Sequence, residues 1–190
     1  LVTRYRYNGL NQLTQLQSPD TGTTEYTYDA AGNRLGQTDA RQVSTQFSYD
    51  ALNRLQSIRY PQAQLDVALS YDEEDRITDC SGSHPQGRLT RMRDASGWVR
   101  YCYDARGNLV QKTQSTAGAT LLAQMRYSLA DRLIGITYPS GLQVDYSRDE
   151  QGRIAAIGYR QAGASQTLLD QVSYLPFGPM TSLRYANGRK

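Results

Sequence analysis

The sequence predicts an all-β fold, an antiparallel meander of repeated hairpins, and three observations predict it. A short phrase recurs along the chain, as in EYTYDAAGNRL from Glu25 to Leu35 and YDALNRL from Tyr49, at intervals near 21 residues. A phrase that returns at a fixed interval marks a structural unit rather than a single site. Apolar and polar residues alternate within each copy, which is the period of a half-buried strand. Asp, Asn and Gly recur at fixed offsets, where a tight turn needs them.

The columns of the repeat justify each element. The second tyrosine of the phrase serves as the anchor: Tyr7, Tyr28, Tyr49, Tyr71, Tyr103 and Tyr127, then Arg148 in place of a tyrosine, then a degenerate copy at Tyr174. Successive anchors are 21, 21, 22, 32, 24, 21 and 26 residues apart. The long interval holds a further half-copy, HPQGRL, ending at Leu89. Two residues before each anchor stand Tyr5, Tyr26, Phe47, Leu69, Tyr101, Met125, Tyr146 and Val172, all aromatic or apolar. Between them and the anchors lie polar or small residues, such as Thr27, Ser48 and Ser147. That is a strand with one apolar and one wetter face.

The position after the anchor holds Asn8, Asp29, Asp50, Asp72, Asp104, Ser128 and Asp149. Their short side chains can accept a hydrogen bond from the N–H two residues on. Four after the anchor come Asn11, Gly32, Asn53, Asp75, Gly107, Asp131 and Gly152, the residue types that tolerate positive φ. Asn33 and Asn108, which follow the glycine in two copies, count with these turn formers. Six after the anchor the chain is apolar again at Leu13, Leu55, Ile77, Leu109, Leu133 and Ile154, with Arg34 preceding Leu35 in the remaining copy. Each phrase is therefore strand, short loop, strand. Turn signals also mark the opposite ends of the strands, in SPDTG at Ser18, YPQ at Tyr60, DASG at Asp94, YPSG at Tyr138 and QAGA at Gln161. One stretch competes, since residues 120–136 can also be drawn with helical spacing; the repeat register assigns them to strands.

Sixteen strands about 4.8 Å apart make a ribbon on the order of 75 Å wide, which strand twist must bend. The expectation is one array over residues 1–190, of about eight repeats near 21 residues, curved and spiralling, with open edges prone to self-association. Both ends read as interrupted: the first seven residues already enter a turn, and Asn187-Gly188 has no returning strand.

Composition narrows the function classes. Fifteen of the eighteen aromatic residues are tyrosine, a side chain suited to a half-buried surface. A net charge of +3, with both signs interspersed, argues against a nucleic-acid partner. No apolar run of about 18 residues predicts a membrane span. Cys80 and Cys102 are too few for a disulfide framework or a zinc site, and whether they pair is open at this point.

Catalytic chemistry finds little footing. His84 is the sole histidine and lies in a turn-like SGSHPQG. Asp29, Asp50, Asp72 and Asp104 could be imagined as paired carboxylates, but their even recurrence at hairpin corners favours a turn role. The acidic run 72–75 lacks the spaced ligands and glycine of a calcium loop. No glycine-rich segment joins a strand to a helix as a phosphate loop does. No enzyme, metal or cofactor is expected.

YTYDAAGNRL, FSYDALNRL, RYCYDARGNL, YPSGLQVDY and YLPFGP together resemble the YD repeats of the Rhs (rearrangement hot spot) family, over nearly the whole chain. The resemblance implies a spiralling sheet that forms part of a hollow shell, like those of toxin-complex components and teneurins. It implies a bacterial effector held in the cytoplasm before export, with type VI secretion or a toxin-complex injector as the delivery route. The implied partners are the rest of the parent shell, an enclosed C-terminal toxin or unfolded polypeptide, and components of the secretion machine. The glycine-rich aspartate motif of the family's self-cleaving plug is not in this sequence. Arg148 for tyrosine, Ser128 and Leu175 for aspartate and the merged copy near Ser83 depart from the pattern, and irregular hairpins are expected there. A second reading takes the tyrosine rows as platforms for a glycan, in a carbohydrate-binding or adhesion module.

Overall fold

The computed structural model describes residues 2–74 and 79–189. They form one antiparallel sheet of sixteen strands whose order in the sheet is their order in the chain. The strands are β1 (Arg4–Tyr7), β2 (Leu13–Ser18), β3 (Gly22–Tyr28), β4 (Arg34–Thr38), β5 (Ser44–Tyr49), β6 (Leu55–Arg59), β7 (Val67–Tyr71) and β8 (Leu89–Asp94). They continue with β9 (Gly97–Tyr103), β10 (Leu109–Thr116), β11 (Ala119–Tyr127), β12 (Leu133–Thr137), β13 (Gln143–Arg148), β14 (Ile154–Gln161), β15 (Ala164–Tyr174) and β16 (Met180–Tyr185). One short 3₁₀ turn, Ala63–Leu65, interrupts the link from β6 to β7. The helical alternative for residues 120–136 is absent: β11 and β12 occupy that stretch.

The chain groups into two compact units, Leu1–Tyr71 with Leu89–Trp98, and Asp72–Arg88 with Val99–Lys190. Directly opposed residues of an antiparallel pair share a face, so the registers sort each unit into two faces. In the first unit Tyr26 opposes Gln37, Phe47 opposes Ile58 and Ile58 opposes Val67, which gives the apolar side. Gln15 opposes Glu25, Glu25 opposes Thr38 and Thr38 opposes Ser44 on the polar side. In the second unit Met125, Ile136, Val144 and Tyr159 form one apolar row. Gln111, Gln124, Thr137, Gln143 and Arg160 form a polar row.

A feature of the ladder that the sequence pattern does not announce is a bulge beside the anchor. The register shifts between Arg6 and Tyr7, Thr27 and Tyr28, Ser48 and Tyr49, Ser70 and Tyr71, Arg126 and Tyr127, and Ser147 and Arg148. A bulge adds one residue to one strand and re-aims the side chains around it. At two bulges a threonine hydroxyl bonds back across the shift: Thr14 Oγ1 donates to Arg6 O at 3.2 Å and Thr90 Oγ1 to Ser70 O at 3.0 Å. Thr90 is fully buried, and that bond satisfies its hydroxyl.

The repeat at Tyr71 corrects the column reading. Tyr71 opposes Leu89, so the returning strand is β8 and starts eighteen residues after the anchor instead of six. The residues between are an insertion, and the half-copy HPQGRL supplies the second half of the corner. Asp75 and Ile77, assigned above to the turn and the returning strand, lie outside the described residues. Asp72 is tied to the half-copy: its N–H donates to Arg88 O at 3.2 Å, and its Oδ1 accepts Gly87 N at 2.5 Å.

Candidate functional site at the repeat corners

The recurrent chemistry of this chain lies at the loops that close each phrase. Asp29 shows the plan. Its N–H donates to Asn33 O at 2.9 Å, and Gly32 N donates to Asp29 O at 3.2 Å. Its Oδ1 accepts the N–H of Ala31 and of Asn33, two and four residues on, at 2.9 and 2.8 Å, while Oδ2 accepts Asn33 Nδ2 at 2.9 Å. Asp50 repeats this with Leu52 N, Arg54 N and Arg54 Nε, and Asp104 with Arg106 N, Asn108 N and Asn108 Nδ2. Asp149 accepts Arg153 N and Nε. Asn8 and Ser128 use a side-chain oxygen in the same way. In these six corners the residue four after the anchor has positive φ: 58° at Asn11, 89° at Gly32, 60° at Asn53, 91° at Gly107, 56° at Asp131 and 78° at Gly152. Gly178, four after Tyr174, does not.

These bonds hold the carboxylates in their charged form. Asn33's side-chain amide is the main influence that lowers the Asp29 pKa, with backbone N–H bonds adding to it. At Asp50 the backbone N–H of Arg54 leads, and at Asp104 the Asn108 side chain. At Asp149 partial desolvation pulls upward, and the Arg153 bonds outweigh it to leave the carboxyl lowered. Carboxylates with their lone pairs committed to backbone N–H groups are poor general acids or bases. The backbone of His84 is tied into the fold: its N–H donates to Tyr103 O at 2.9 Å, and its carbonyl accepts Arg88 Nη1 at 2.7 Å. Among the described residues no cluster of His, Cys, Asp or Glu could hold a metal, and no helix is long and apolar enough to cross a membrane.

Four of the anchor tyrosines link one repeat to the one before it. Tyr28 Oη donates to Leu13 O at 2.8 Å, Tyr49 to Arg34 O at 3.0 Å, Tyr71 to Leu55 O at 2.9 Å and Tyr174 to Ile154 O at 2.8 Å. Each acceptor is the first residue of the returning strand in the preceding phrase. Arg148, which replaces the tyrosine, fills the same role: its Nε and Nη2 donate to Leu133 O at 3.3 and 2.8 Å, and its Nη1 to Gly152 O at 2.9 Å. Burial of the rings raises the phenol pKa at Tyr101, Tyr103, Tyr127 and Tyr146. Tyr5 and Tyr7, on edge strand β1, are exposed.

A second set of links was missed by sequence reasoning. The residue five after the anchor reaches the next corner or the next ring. Asn33 Nδ2 donates to Asn53 Oδ1 at 2.8 Å and Asn108 Nδ2 to Asp131 Oδ1 at 2.7 Å. Where this position is arginine, Arg132 Nη1 reaches Gln151 O at 3.0 Å. The guanidinium of Arg54 stacks over the Tyr71 ring at 4.4 Å and that of Arg153 over Tyr174 at 4.4 Å. The same arginines pair with their own corner aspartates, Asp50 at 2.7 Å and Asp149 at 2.8 Å. The signal was available, since that column reads Gln12, Asn33, Arg54, Asn108, Arg132 and Arg153, all long side chains with donors.

Cys80 and Cys102 form a disulfide with a Cα–Cα separation of 5.5 Å.

Comparison with known proteins gives the repeat a family. Residues 7–43, 28–65, 84–120 and 127–164 match the RHS repeat. The toxin protein Tse5 of Pseudomonas aeruginosa is 28% identical over 178 residues, covering 85% of this chain and 13% of Tse5. The tRNA nuclease WapA of Bacillus subtilis is 29% identical over 117 residues, covering 56% of this chain and 5% of WapA. The crystal structure of TcdB2-TccC3-Cdc42 superposes with a TM-score of 0.83 at 16% identity, over 98% of this chain and 10% of that one. The chain thus spans a small fraction of each protein it matches, and it shares with the last the fold of a sixteen-stranded antiparallel meander. The matched segments cover more than half of the sequence and coincide with the corners and anchors described above: this chain belongs to the RHS-repeat family.

Proposed function

We propose that this chain is a stretch of wall in an Rhs-type bacterial toxin, and that the wall encloses a C-terminal toxin or unfolded polypeptide until delivery. One observation carries the reading: the sheet is braced along its own length instead of around a core. Among the described residues only Cys80, Pro85, Thr90, Val99, Cys102 and Gly135 are buried. Stability comes from bonds that join each repeat to its neighbours, as in other repeat arrays. A single layer braced in this way separates two spaces and leaves both faces available, which suits containment and not turnover. The toxins among its relatives support the cargo reading, with the enzymatic parts assigned to sequence outside this segment. The array is read as one continuous run over residues 1–190 that continues into the rest of the parent shell. The effector is read as made in the bacterial cytoplasm and exported, by type VI secretion or a toxin-complex injector.

The tyrosine platforms of the glycan reading have less support. Four anchor hydroxyls are committed to backbone carbonyls, and arginines cover the rings of Tyr26, Tyr71 and Tyr174.

The test uses the parent protein that contains this segment. Limited proteolysis should leave its C-terminal polypeptide intact, and a Tyr49→Ala, Tyr71→Ala variant should expose it to cleavage. A C-terminal polypeptide digested equally fast in both proteins would overturn the containment reading.

A further inference from the structure

We propose that Cys80 and Cys102 form a thiol–disulfide exchange site, served by low-molecular-weight thiols, that fastens the insertion to the sheet without being needed for the sheet itself. Three observations meet here. The first is what the disulfide joins. Cys102 lies in β9, while Cys80 lies in the insertion that replaces a five-residue loop. Next to the disulfide, Ser83 Oγ accepts Tyr103 N at 2.9 Å and His84 N donates to Tyr103 O at 2.9 Å. The described part of the insertion thus meets β9 through a covalent bond, these two hydrogen bonds and the Arg88 guanidinium over the Tyr103 ring at 5.7 Å, among other contacts.

The second observation is that neighbouring elements are built without this bond. The strand pairings from β10 to β16 and the corners at Asp104, Ser128 and Asp149 use no cysteine. The other corners of the chain close with no cysteine.

The third is access. Each cysteine is only 4% exposed, which bars a globular oxidoreductase that must seat its own cysteine against the bond. A cavity of about 660 Å³ nevertheless reaches both residues. Its wall includes Cys80, Ser83 and Cys102, and its floor includes Gln111, Gln124 and Thr137. Those three residues oppose one another across β10, β11 and β12, and Val110 and Met125 also line the cavity. The volume falls in the range of small-molecule sites.

The chemistry balances with a small thiol pair. The thiolate of one small thiol attacks a cysteine sulfur, the Cys80–Cys102 bond breaks, and a mixed disulfide forms with one protein thiolate released. A second small thiol attacks the mixed disulfide and leaves as the small-molecule disulfide. The cystine has gained two electrons and two protons, and two thiols have become one disulfide. The reverse direction, with the small disulfide as oxidant, closes the clasp. In a reducing cytosol the site would stand open, and in an oxidising compartment closed.

The experiment reduces the oxidised chain with dithiothreitol under native conditions and follows free thiols, far-UV circular dichroism and amide hydrogen exchange. The expected result is full reduction with the strand signal retained, loss of protection at the His84 amide, and recovery of both on addition of oxidised dithiothreitol. Gln124→Trp, and independently Thr137→Trp, should fill the cavity and slow reduction several-fold while leaving circular dichroism unchanged. A thioredoxin-type protein should reduce the bond more slowly than dithiothreitol at equal thiol concentration. Collapse of the strand signal on reduction would overturn the proposal, because the bond would then be a staple of the fold. Unchanged protection at His84, or rates indifferent to both tryptophans, would also overturn it.

Discussion

Arg148 offers the sharpest test of how the repeats are joined. If the anchor position exists to donate a hydrogen bond to the preceding repeat, its ring is dispensable and its donor is not. Arg148→Met keeps length and apolar stem but removes the bonds to Leu133 O and Gly152 O. A hydrogen bond from a charged donor contributes about 1.5–3 kcal/mol. The Leu133 carbonyl, half-buried, also loses its partner, so the methionine variant should lose about 2–3 kcal/mol locally. Arg148→Tyr restores the family residue and the bond to Leu133 O, at the distance of 2.8–3.0 Å seen for the other four anchors. It gives up only the bond to Gly152 O, so its loss should be about 1 kcal/mol or less. Native-state amide exchange resolves the effect better than a global melt, because repeat arrays need not unfold in one step. Protection in β13 and β14 should fall by roughly thirtyfold or more in the methionine variant and by less than about tenfold in the tyrosine variant. A methionine variant as protected as the parent would refute the reasoning, and so would a tyrosine variant less protected than methionine.

Two further outcomes follow from the corners. Gly32→Val and Gly107→Val should each cost about 1–3 kcal/mol, since both force a β-branched residue to positive φ. Gly107→Val should be the worse, because a Cβ there meets the Arg88 guanidinium that stacks over Tyr103, whereas at Gly32 the nearest atom is Gln12 Nε2 at 3.4 Å; equal urea midpoints in both variants and the parent would count against the assignment. Acid should loosen the corners. The pKa values of Asp29, Asp50, Asp104 and Asp149 are lower in the folded chain than the unfolded value of 3.8, so their stabilisation is complete above that value and disappears as pH falls through the folded pKa. Urea midpoints should thus be flat near neutrality and drop below about pH 4, and a midpoint unchanged down to about pH 2 would show that the carboxylates carry no such role.

The sheet was legible because its determinants are local. A hairpin corner is written in six consecutive residues, and Gly32, Asn53 and Gly107 declare a left-handed backbone by residue type alone. Reading failed where a determinant is spatial. The insertion after Tyr71 broke the column count, since a fixed offset cannot know that the returning strand is delayed to Leu89. The Cys80–Cys102 bond joins residues 22 apart, and only the fold brings them together. Arg148 was legible as a departure but not as an equivalent, because a guanidinium and a phenol look unlike in sequence while offering the same donor to Leu133 O. The bulges beside the anchors have no residue signature of their own; Thr14 and Thr90 serve there, but other bulges manage without threonine.

The direction of the tyrosine bonds has a bearing on biosynthesis. The four anchor bonds all run from a hydroxyl later in the chain to a carbonyl made earlier, from Tyr28 back to Leu13 and from Tyr174 back to Ile154. A nascent polypeptide leaving the ribosome therefore always meets an acceptor already fixed in place. For these bonds no repeat waits for its successor, whereas the links from Asn33, Arg54 and Arg153 are completed only when the next repeat is made. A long array can then be laid down in the order it is translated, with only its newest hairpin exposed to error at any moment.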